Sequence, residues 1–281
     1  RFTCHASPKE GDLKPSYMLM GDPRADDGSV QDWHDTLLHL KGVGLEGVDL
    51  FARYLERVNT TPDEAVAFLR DNGLEPAVYC VHTDFITPGA DIQASLDTIR
   101  RGAEVCTRHG IGHLFSAGGQ HTNQGPEAMS RYVEGLQKAL EITQSAGLLF
   151  SIENAGRMCH TWEQLKECVE RVGPEMKVTL DGGNFILAGS DPIKAAVELA
   201  DRVVHVHVKN FVPAPNKEPY PFEYTRPSEG ITDYPLLVGI LAGAEFDGYL
   251  AFEPEGWPNA PADDGVRFCA ELARSHVARG H

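Results

Sequence analysis

Short apolar runs alternate with longer amphipathic segments from one end of the chain to the other. The short runs, rich in β-branched and aromatic residues, predict strands near residues 2–6, 44–50, 75–82, 111–116, 148–153, 176–181, 202–208 and 248–253. The longer segments predict helices near residues 32–42, 62–72, 91–109, 127–146, 161–172, 191–200, 233–244 and 263–278. The chain therefore consists of eight consecutive βα units.

Local signals support these boundaries. Thr61-Pro62 offers an N-cap followed by proline in the first helical turn, and Asn72-Gly73 and Ala146-Gly147 stand just before strands. Strict βα alternation implies a parallel sheet with right-handed crossovers, and eight units predict a (β/α)8 TIM barrel, a single α/β domain over residues 1–281. A doubly wound sheet is the second choice, because the first predicted strand lacks the glycine-rich turn typical of that fold.

The predicted seventh strand, VVHVHVK at residues 203–209, has an unusual polar face. In an extended chain the side chains alternate, so His205, His207 and Lys209 share one face and the valines share the other. Valines suit a face covered by helices, whereas two imidazoles and an ammonium indicate a polar interior that holds a ligand. His205 lies deeper and is expected to be a hydrogen-bonded core residue.

Each of four consecutive predicted strands has a carboxylate or an imidazole side chain at its carboxyl end. In a (β/α)8 barrel the functional site lies at the carboxyl ends of the strands. These ends read SIEN, TLDGGN, HVHVKN and AFEPEG, and they deliver Glu153, Asp181, His207 and Glu253 to one rim. Any one of them alone would more often be a cap or an ion-pair partner, but equivalent positions on successive units indicate a shared site.

Strand alternation places these side chains inside the barrel. The residues two positions earlier are small or polar, and those in between are apolar, as the helix-facing side requires: Ser151, Thr179, His205 and Ala251 against Ile152, Leu180, Val206 and Phe252. Three crowded carboxylates raise one another's pKa unless a cation compensates. Three oxygen donors and one imidazole suit one divalent metal ion, Mn²⁺ best, with Mg²⁺, Co²⁺ or Zn²⁺ as alternatives.

These strand ends, together with GITDYPLLVGIL before the last strand, resemble the xylose-isomerase-like TIM barrel superfamily of sugar phosphate isomerases and epimerases. The resemblance implies that Glu153, Asp181, His207 and Glu253 bind the metal and that the two glutamates transfer protons. SIENAGR is also similar to the endonuclease IV branch, but that branch needs an Asp-x-His that residues 211–230 lack.

The implied chemistry begins with proton removal next to a metal-polarised carbonyl, giving a cis-enediolate. Return of the proton elsewhere gives isomerisation or epimerisation, whereas loss of a β-hydroxyl gives dehydration. Asn184 stands where ketose 3-epimerases have a histidine, and no arginine follows the seventh strand before Arg226. The HxHxK pattern is closer to inosose-dehydratase-like members of the superfamily.

Further polar and aromatic residues are predicted at the same rim. Lys209 is a candidate acid or electrophile, with a structural ion pair as the alternative. The predicted substrate-binding residues are His5, His82, His121, Asn184, Arg226 and Trp257. Phe85 is a further candidate for an apolar wall, and Asp49 and Glu255 are taken as structural. Two long loops, residues 6–31 and 211–230, are expected at the barrel mouth, the second as a lid, a substrate wall, a surface excursion or a subunit contact.

Composition narrows the function classes. A formal net charge of −16 argues against a protein that binds nucleic acid backbones. The six cysteines form no CxxC pair, which favours buried thiols and a reducing, cytoplasmic location. No apolar run approaches the roughly 20 residues of a membrane span, and the first residues do not resemble a signal peptide, although the chain starts at Arg1 and a removed leader stays an alternative.

The sequence thus predicts a metal-dependent sugar or keto-sugar isomerase or epimerase. The first alternative is a metal-dependent lyase, either an inosose-type dehydratase or a 3-keto-glycoside eliminase, and the second is a non-catalytic accessory barrel. The expected partner is a small sugar or cyclitol, with no nucleic acid or membrane partner, and with a homo-oligomer or an accessory subunit possible. Cys4 lies within the first predicted strand.

Overall fold

The computed structural model describes residues 13–20, 32–118, 126–156, 158–254 and 262–277. The barrel strands are β1 (Lys14–Leu19), β2 (Gly47–Phe51), β3 (Glu75–Thr83), β4 (His113–Gly118), β5 (Leu149–Glu153), β6 (Lys177–Asp181), β7 (Val203–Val208) and β10 (Tyr249–Phe252). These eight parallel strands close into a barrel in the order β1-β10-β7-β6-β5-β4-β3-β2. The predicted (β/α)8 TIM barrel is confirmed.

Helices follow the strands and cover the outside of the barrel. They are α1 (Trp33–Gly42), α2 (Ala52–Arg57), α3 (Pro62–Asp71), α4 (Ile92–His109), α5 (Pro126–Ser145), α6 (Trp162–Val172), α7 (Gly182–Leu187), α8 (Pro192–Leu199), α9 (Tyr234–Gly243) and α10 (Ala262–Val277), with a 3-10 turn at Ala200–Arg202. The predicted start at Thr61 is confirmed, where Thr61 and Glu64 form a capping box and Pro62 occupies the first turn. The short helices α2 and α7 were not predicted.

The first barrel strand differs from the prediction. The position beside β2 and β10 is taken by Lys14–Leu19, which the sequence analysis placed inside a loop over residues 6–31. The predicted first strand near residues 2–6 is therefore wrong as a barrel strand, and those residues lie outside the described part of the chain. The proline in KPSYML misled the prediction; Pro15 leaves its carbonyl free to accept from the Glu46 N–H at 3.1 Å.

The two faces of the strands are as predicted. Ile152, Leu180, Val206 and Phe252 are fully buried in the cluster that the strands form with the surrounding helices. Ser151, Thr179 and His205 point into the barrel, where the Ser151 and Thr179 hydroxyls are 2.8 Å apart. The register pairs Thr179 with His205 and Asp181 with His207, so the polar positions of β6 and β7 are level. On β10 it is Ala251 that pairs with His207, so Glu253 lies one inward position further along its strand.

A β-hairpin occupies the predicted long loop after the seventh barrel strand. Strands β8 (Asn210–Pro213) and β9 (Phe222–Thr225) pair antiparallel, and Phe211 and Tyr224 pack against Ile186 of α7. The fully buried Asn210 amide donates to the carbonyls of Pro227 and Thr232 at 2.8 and 2.9 Å. The base of this segment is therefore fixed against the barrel end.

The described cysteines are buried free thiols and the described helices do not span a membrane, as the sequence predicted. Cys80, Cys106, Cys159, Cys168 and Cys269 are buried free thiols, and Cys4 lies outside the described residues. Within the described ranges, every helix is too short or too polar to cross a lipid bilayer.

Candidate metal centre

Four side chains converge at the carboxyl ends of β5, β6, β7 and β10. Glu153 and Asp181 are the last residues of β5 and β6, His207 is next to the last in β7, and Glu253 directly follows β10. One ligand atom from each lies within 4.8 Å of the others, and all four residues are buried. The structure thus brings together the four residues that strand alternation selected.

The imidazole of His207 lies between the two glutamates. Its Nδ1 atom is 2.6 Å from Oε1 of Glu153 and 3.5 Å from Oε2 of Glu253. Although burial opposes protonation, Glu153 and Asp49 raise the pKa of His207 well above its ordinary value. A divalent cation at this position would replace the Nδ1 proton.

The ammonium of Lys209, two residues after His207, enters the same cluster. Its Nζ atom lies 3.1 Å from Oδ2 of Asp181 and 3.0 Å from Oε2 of Glu253, and the side chain is completely buried. The predicted inward orientation of Lys209 is therefore correct. Both predicted roles stay open at this level, because an ion pair is present and the ammonium also adjoins a candidate proton-transfer carboxylate.

Asp181 carries the clearest sign of excess negative charge. Burial and the Glu253 carboxylate raise the pKa of Asp181 to about 7, against the lowering effect of Lys209. A single lysine thus does not fully offset three carboxylates in this interior. The donor set therefore fits a divalent cation, held by Glu153, Asp181, His207 and Glu253.

The end of β6 is held by its neighbours. Asn154, which follows Glu153, donates from its amide to the Asp181 carbonyl and accepts from the Asp181 N–H, both at 2.8 Å. The other carboxylate oxygen of Asp181, Oδ1, caps α7 by accepting the Asn184 N–H at 2.7 Å. Asp181 is consequently fixed from both sides, with Oδ2 directed at the cluster.

Gly183 and Tyr234 hold Lys209 in place. A Cβ on Gly183 would lie 2.6 Å from Lys209 Cγ and 2.8 Å from its carbonyl oxygen, so only glycine fits there. The hydroxyl of Tyr234 accepts the Lys209 N–H at 3.0 Å and donates to the Lys209 carbonyl at 2.7 Å. These contacts fix the backbone where the chain leaves β7.

A second polar layer lies one step deeper in the barrel. Asp49 Oδ2 accepts from His205 Nε2 at 2.7 Å, and Asp49 Oδ1 accepts from Ser16 at 2.7 Å. Close by, His113 Nε2 lies 2.7 Å from the Ser151 hydroxyl, and burial together with His205 lowers the pKa of His113 to about 3. His205 is thus a hydrogen-bonded core residue, as predicted. Asp49, His205 and His207 also satisfy the spacing of a metal cluster, but they offer one carboxylate that already accepts two hydrogen bonds.

The predicted substrate-contacting residues that the structure describes differ in their exposure and in the groups that they contact. His82 is half-buried near the end of β3, two residues beyond the inward Cys80, and so faces the mouth. Asn184 is partly buried in the first turn of α7, next to Asp181. Arg226 is exposed, with contacts to Asp264 at 3.0 Å and Glu229 at 3.6 Å. Phe85 is buried against Gly135 of α5.

Some predicted or supporting residues fall outside these observations. His5, His121, Trp257 and Glu255 lie outside the described residues.

Sequence reasoning missed Asn154 and Tyr234 as supports of the cluster, although both stand inside the quoted motifs SIEN and GITDYP. Their partners lie on other strands, so the motifs alone did not reveal the roles.

Comparison with known proteins agrees with this geometry. The family model described as xylose isomerase-like TIM barrel matches residues 37–272, most of the chain. The chain belongs to this family. The predicted superfamily is therefore confirmed.

Within the xylose isomerase-like family, the curated relatives are mainly dehydratases. The chain is 26% identical over 160 residues to inosose dehydratase of Geobacillus kaustophilus (strain HTA426), covering 52% of this chain and 51% of that protein. It is 28% identical over 124 residues to the rhizopine catabolism protein MocC of Rhizobium meliloti, covering 40% and 38%. The chain spans about half or less of the length of these relatives.

Solved structures share the fold across the whole barrel. The probable 3-DHS dehydratase AsbF of Bacillus anthracis superposes with a TM-score of 0.72 at 17% identity, covering 93% of this chain and 99% of that one. A xylose isomerase-like barrel from Mycobacterium smegmatis, in complex with magnesium, gives a TM-score of 0.68 at 15% identity and coverage of 95% and 96%. At these identities the likeness establishes the fold alone.

Proposed function

We propose that the protein is a metal-dependent lyase that removes water from a cyclic polyhydroxy ketone of the inosose type. The observation that carries the proposal is the buried Lys209 ammonium, 3.0 Å from Glu253. An isomerase needs a base and a polarised carbonyl, whereas a dehydratase also needs a proton for the departing hydroxyl. The similarity to inosose dehydratases supports the same reaction class.

The metal centre of this proposal uses Glu153, Asp181, His207 and Glu253 as ligands. When bound, a divalent ion polarises the substrate carbonyl and acidifies the neighbouring C–H. We favour Mn²⁺ because three carboxylates and one imidazole suit it, with Mg²⁺, Co²⁺ or Zn²⁺ as alternatives. The magnesium complex of the Mycobacterium smegmatis relative supports a divalent cation without identifying this one.

The chain's own residues supply the proton transfers. The Glu253 carboxylate takes the proton from the carbon next to the carbonyl, and Lys209 gives a proton to the hydroxyl on the following carbon, which leaves as water. A carbon–carbon double bond forms as the C–H and C–O bonds break. The proton on Glu253 then passes to Lys209 across their 3.0 Å contact, and both groups return to their starting states.

The remaining predicted residues act in substrate binding. Asn184, whose N–H donates to Asp181, and His82, near the carboxyl end of β3, are proposed to hold substrate hydroxyls. Arg226, His5, His121 and Trp257 stay predictions. The substrate is a small molecule, and a homo-oligomer or accessory subunit and a cytoplasmic location also stay predictions.

Sugar isomerisation or epimerisation is the second candidate. One observation favours it: Glu153 and Glu253, on the non-neighbouring strands β5 and β10, both lie near Nδ1 of His207, so one carboxylate is available to remove a proton and another to return it. In that reaction Lys209 would only polarise an oxygen. The first half-reaction is the same, so the two functions differ in what happens after proton removal.

A substrate screen with added Mn²⁺ tests the proposal. Inososes, 3-keto-glycosides and free ketoses are incubated in deuterium oxide while enone absorbance and deuterium incorporation are followed. Growth of enone absorbance with an inosose is expected. Deuterium exchange without elimination would establish the isomerase instead, and neither signal, together with sugar-induced thermal stabilisation, would indicate a binding barrel.

A further inference from the structure

Asp49 holds a central position in the barrel interior. It lies on β2, is completely buried, and reaches across the interior to β7, which is not a neighbour of β2 in the sheet. Its Oδ1 atom accepts from Ser16 and its Oδ2 atom accepts from His205. Both carboxylate oxygens of Asp49 therefore act as hydrogen-bond acceptors inside the barrel.

The two ring nitrogens of His207 face different groups. Nδ1 is directed at Glu153 and Glu253, whereas Nε2 is directed at Asp49, with 3.6 Å between Nε2 and Oδ2. In the described part of the chain, Nε2 makes no hydrogen bond of normal length, so Asp49 is the acceptor closest to forming one. A buried N–H without an acceptor costs about 1–3 kcal/mol, which favours completion of this contact.

We infer that Asp49 is a positioning residue for the metal centre: it keeps a proton on Nε2 of His207 and thereby leaves the Nδ1 lone pair for the divalent cation. A carboxylate behind a ligand histidine fixes the ring's tautomer and orientation and makes the ligand nitrogen more basic. Asp49 touches neither the cation nor the substrate, and it acts through His207. The inference rests on the metal centre of the proposed function but not on the identity of its substrate.

The same carboxylate oxygen also serves His205. Because His205 Nε2 already donates to Oδ2 at 2.7 Å, that oxygen is held at a fixed place between the two imidazoles. The imidazole planes of His205 and His207 are nearly perpendicular, with ring centroids 5.2 Å apart. His205 thus orients Asp49, and Asp49 in turn orients His207, which lies nearer the rim of the barrel.

Metal affinity tests the role without reference to any substrate. In Asp49→Asn the side chain keeps its shape but has one acceptor oxygen for three donors, and the dissociation constant for Mn²⁺ measured by calorimetry is expected to rise about 10- to 100-fold. The matched control is Ser16→Ala, which removes the donor to the opposite oxygen of Asp49 and is expected to leave affinity within about twofold.

The outcomes separate the possibilities. Wild-type affinity in Asp49→Asn overturns the role of Asp49 and leaves the metal centre intact. Equal losses in both variants would assign the effect to general packing of the buried layer and also overturn it. A wild-type protein that binds no Mn²⁺ overturns the metal centre together with this role.

The tautomer of His207 gives a second readout, which is recorded on the wild-type protein. In wild-type protein labelled with ¹⁵N-histidine and loaded with diamagnetic Zn²⁺, long-range ¹H–¹⁵N correlations are expected to show a proton on Nε2 and none on Nδ1. The signals are assigned by their loss in His207→Gln. A ring that carries its proton on Nδ1 would overturn the inference.

Discussion

The interior of this barrel has two different halves. Strands β5, β6, β7 and β10 direct Glu153, Asp181, His207 and Glu253 inward. Strands β1, β3 and β4 contribute a packed apolar cluster of Met18, Val78, Cys80 and Phe115, next to the deeper polar layer that includes Ser16 and His113. The halves meet where the Phe115 ring lies nearly perpendicular to the His207 imidazole, with centroids 5.5 Å apart.

The comparison shows that the apolar half determines the electrostatic environment of the charged half. Apolar walls lower the effective dielectric constant, which strengthens every interaction between charges beside them. The cost is visible at Asp181, whose pKa is raised to about 7 by burial and by Glu253. The apolar half contributes to stability by burial, whereas the charged half lowers stability in exchange for binding and chemistry.

The largest expected effect comes from the charged half. Glu153→Gln removes both a metal ligand and a negative charge, and we expect turnover to fall by about 10³-fold or more, with weaker Mn²⁺ binding, because such groups contribute roughly 10² to 10⁴. Steady-state kinetics and calorimetry measure the two losses, and Glu253→Gln is expected to behave alike. The control in the apolar half is Met18→Leu, which keeps the volume and is expected to retain activity.

Full activity in either glutamine variant would contradict the assignment of the centre. An equal loss in Met18→Leu would show that the two halves are not functionally distinct.

Lys209→Met tests whether the ammonium belongs to the chemistry or only to the ion pairs. If it is the proton donor, we expect turnover to fall by about 10²-fold while the metal content stays near one per chain. Metal analysis accompanies the kinetics, and Lys138→Met, which breaks only an exposed pair with Glu134, serves as the surface control. Unchanged kinetics would return Lys209 to a structural role.

The smallest effect concerns pH. Since the pKa of Asp181 is raised to about 7, the metal-free folded protein holds that proton below this pH, and its ionisation reduces folding stability as pH rises from the unfolded pKa through about 7. A bound cation must expel this proton and also the Nδ1 proton of His207, whose pKa is raised well above its ordinary value. Mn²⁺ affinity is therefore expected to rise with pH through about 7 and to go on rising above it.

Calorimetry in buffers of different ionisation enthalpy counts the protons released at each pH. Affinity that does not change between about pH 5.5 and 7.5 would contradict the coupling of metal binding to these groups.

The sequence predicted much of the site because strand alternation carries the information. Glu153, Asp181, His207 and Glu253 each stand at a strand end, and the residue two positions earlier shows which way the side chain points. The fold followed from the same alternation. The first strand was misplaced because a proline in Lys14–Leu19 argued against a barrel strand, while residues 2–6 have a similar apolar content.

The roles of supporting residues could not be predicted in the same way. Asp49 and His205 are 156 positions apart, and their contact exists only because β2 and β7 face each other across a closed barrel. Asn154 acts on the backbone of the next strand, where side-chain patterns give no signal. The hairpin β8–β9 was missed because prolines interrupt its alternation and loop statistics favour an irregular segment.

The base of the β8–β9 hairpin is held by buried contacts, whereas its tip is exposed and can differ in sequence. The Tyr224 hydroxyl donates to the carbonyl of Glu253, and the Asn210 amide is fixed within the turn around Thr232, so the base is tied to the last residue of the metal centre. Residues 215–221, by contrast, are exposed. Replacing residues 215–221 by the corresponding segment of a relative would therefore change the exposed tip while leaving the contacts that hold Glu253 in place. This segment is a suitable site for engineered insertions.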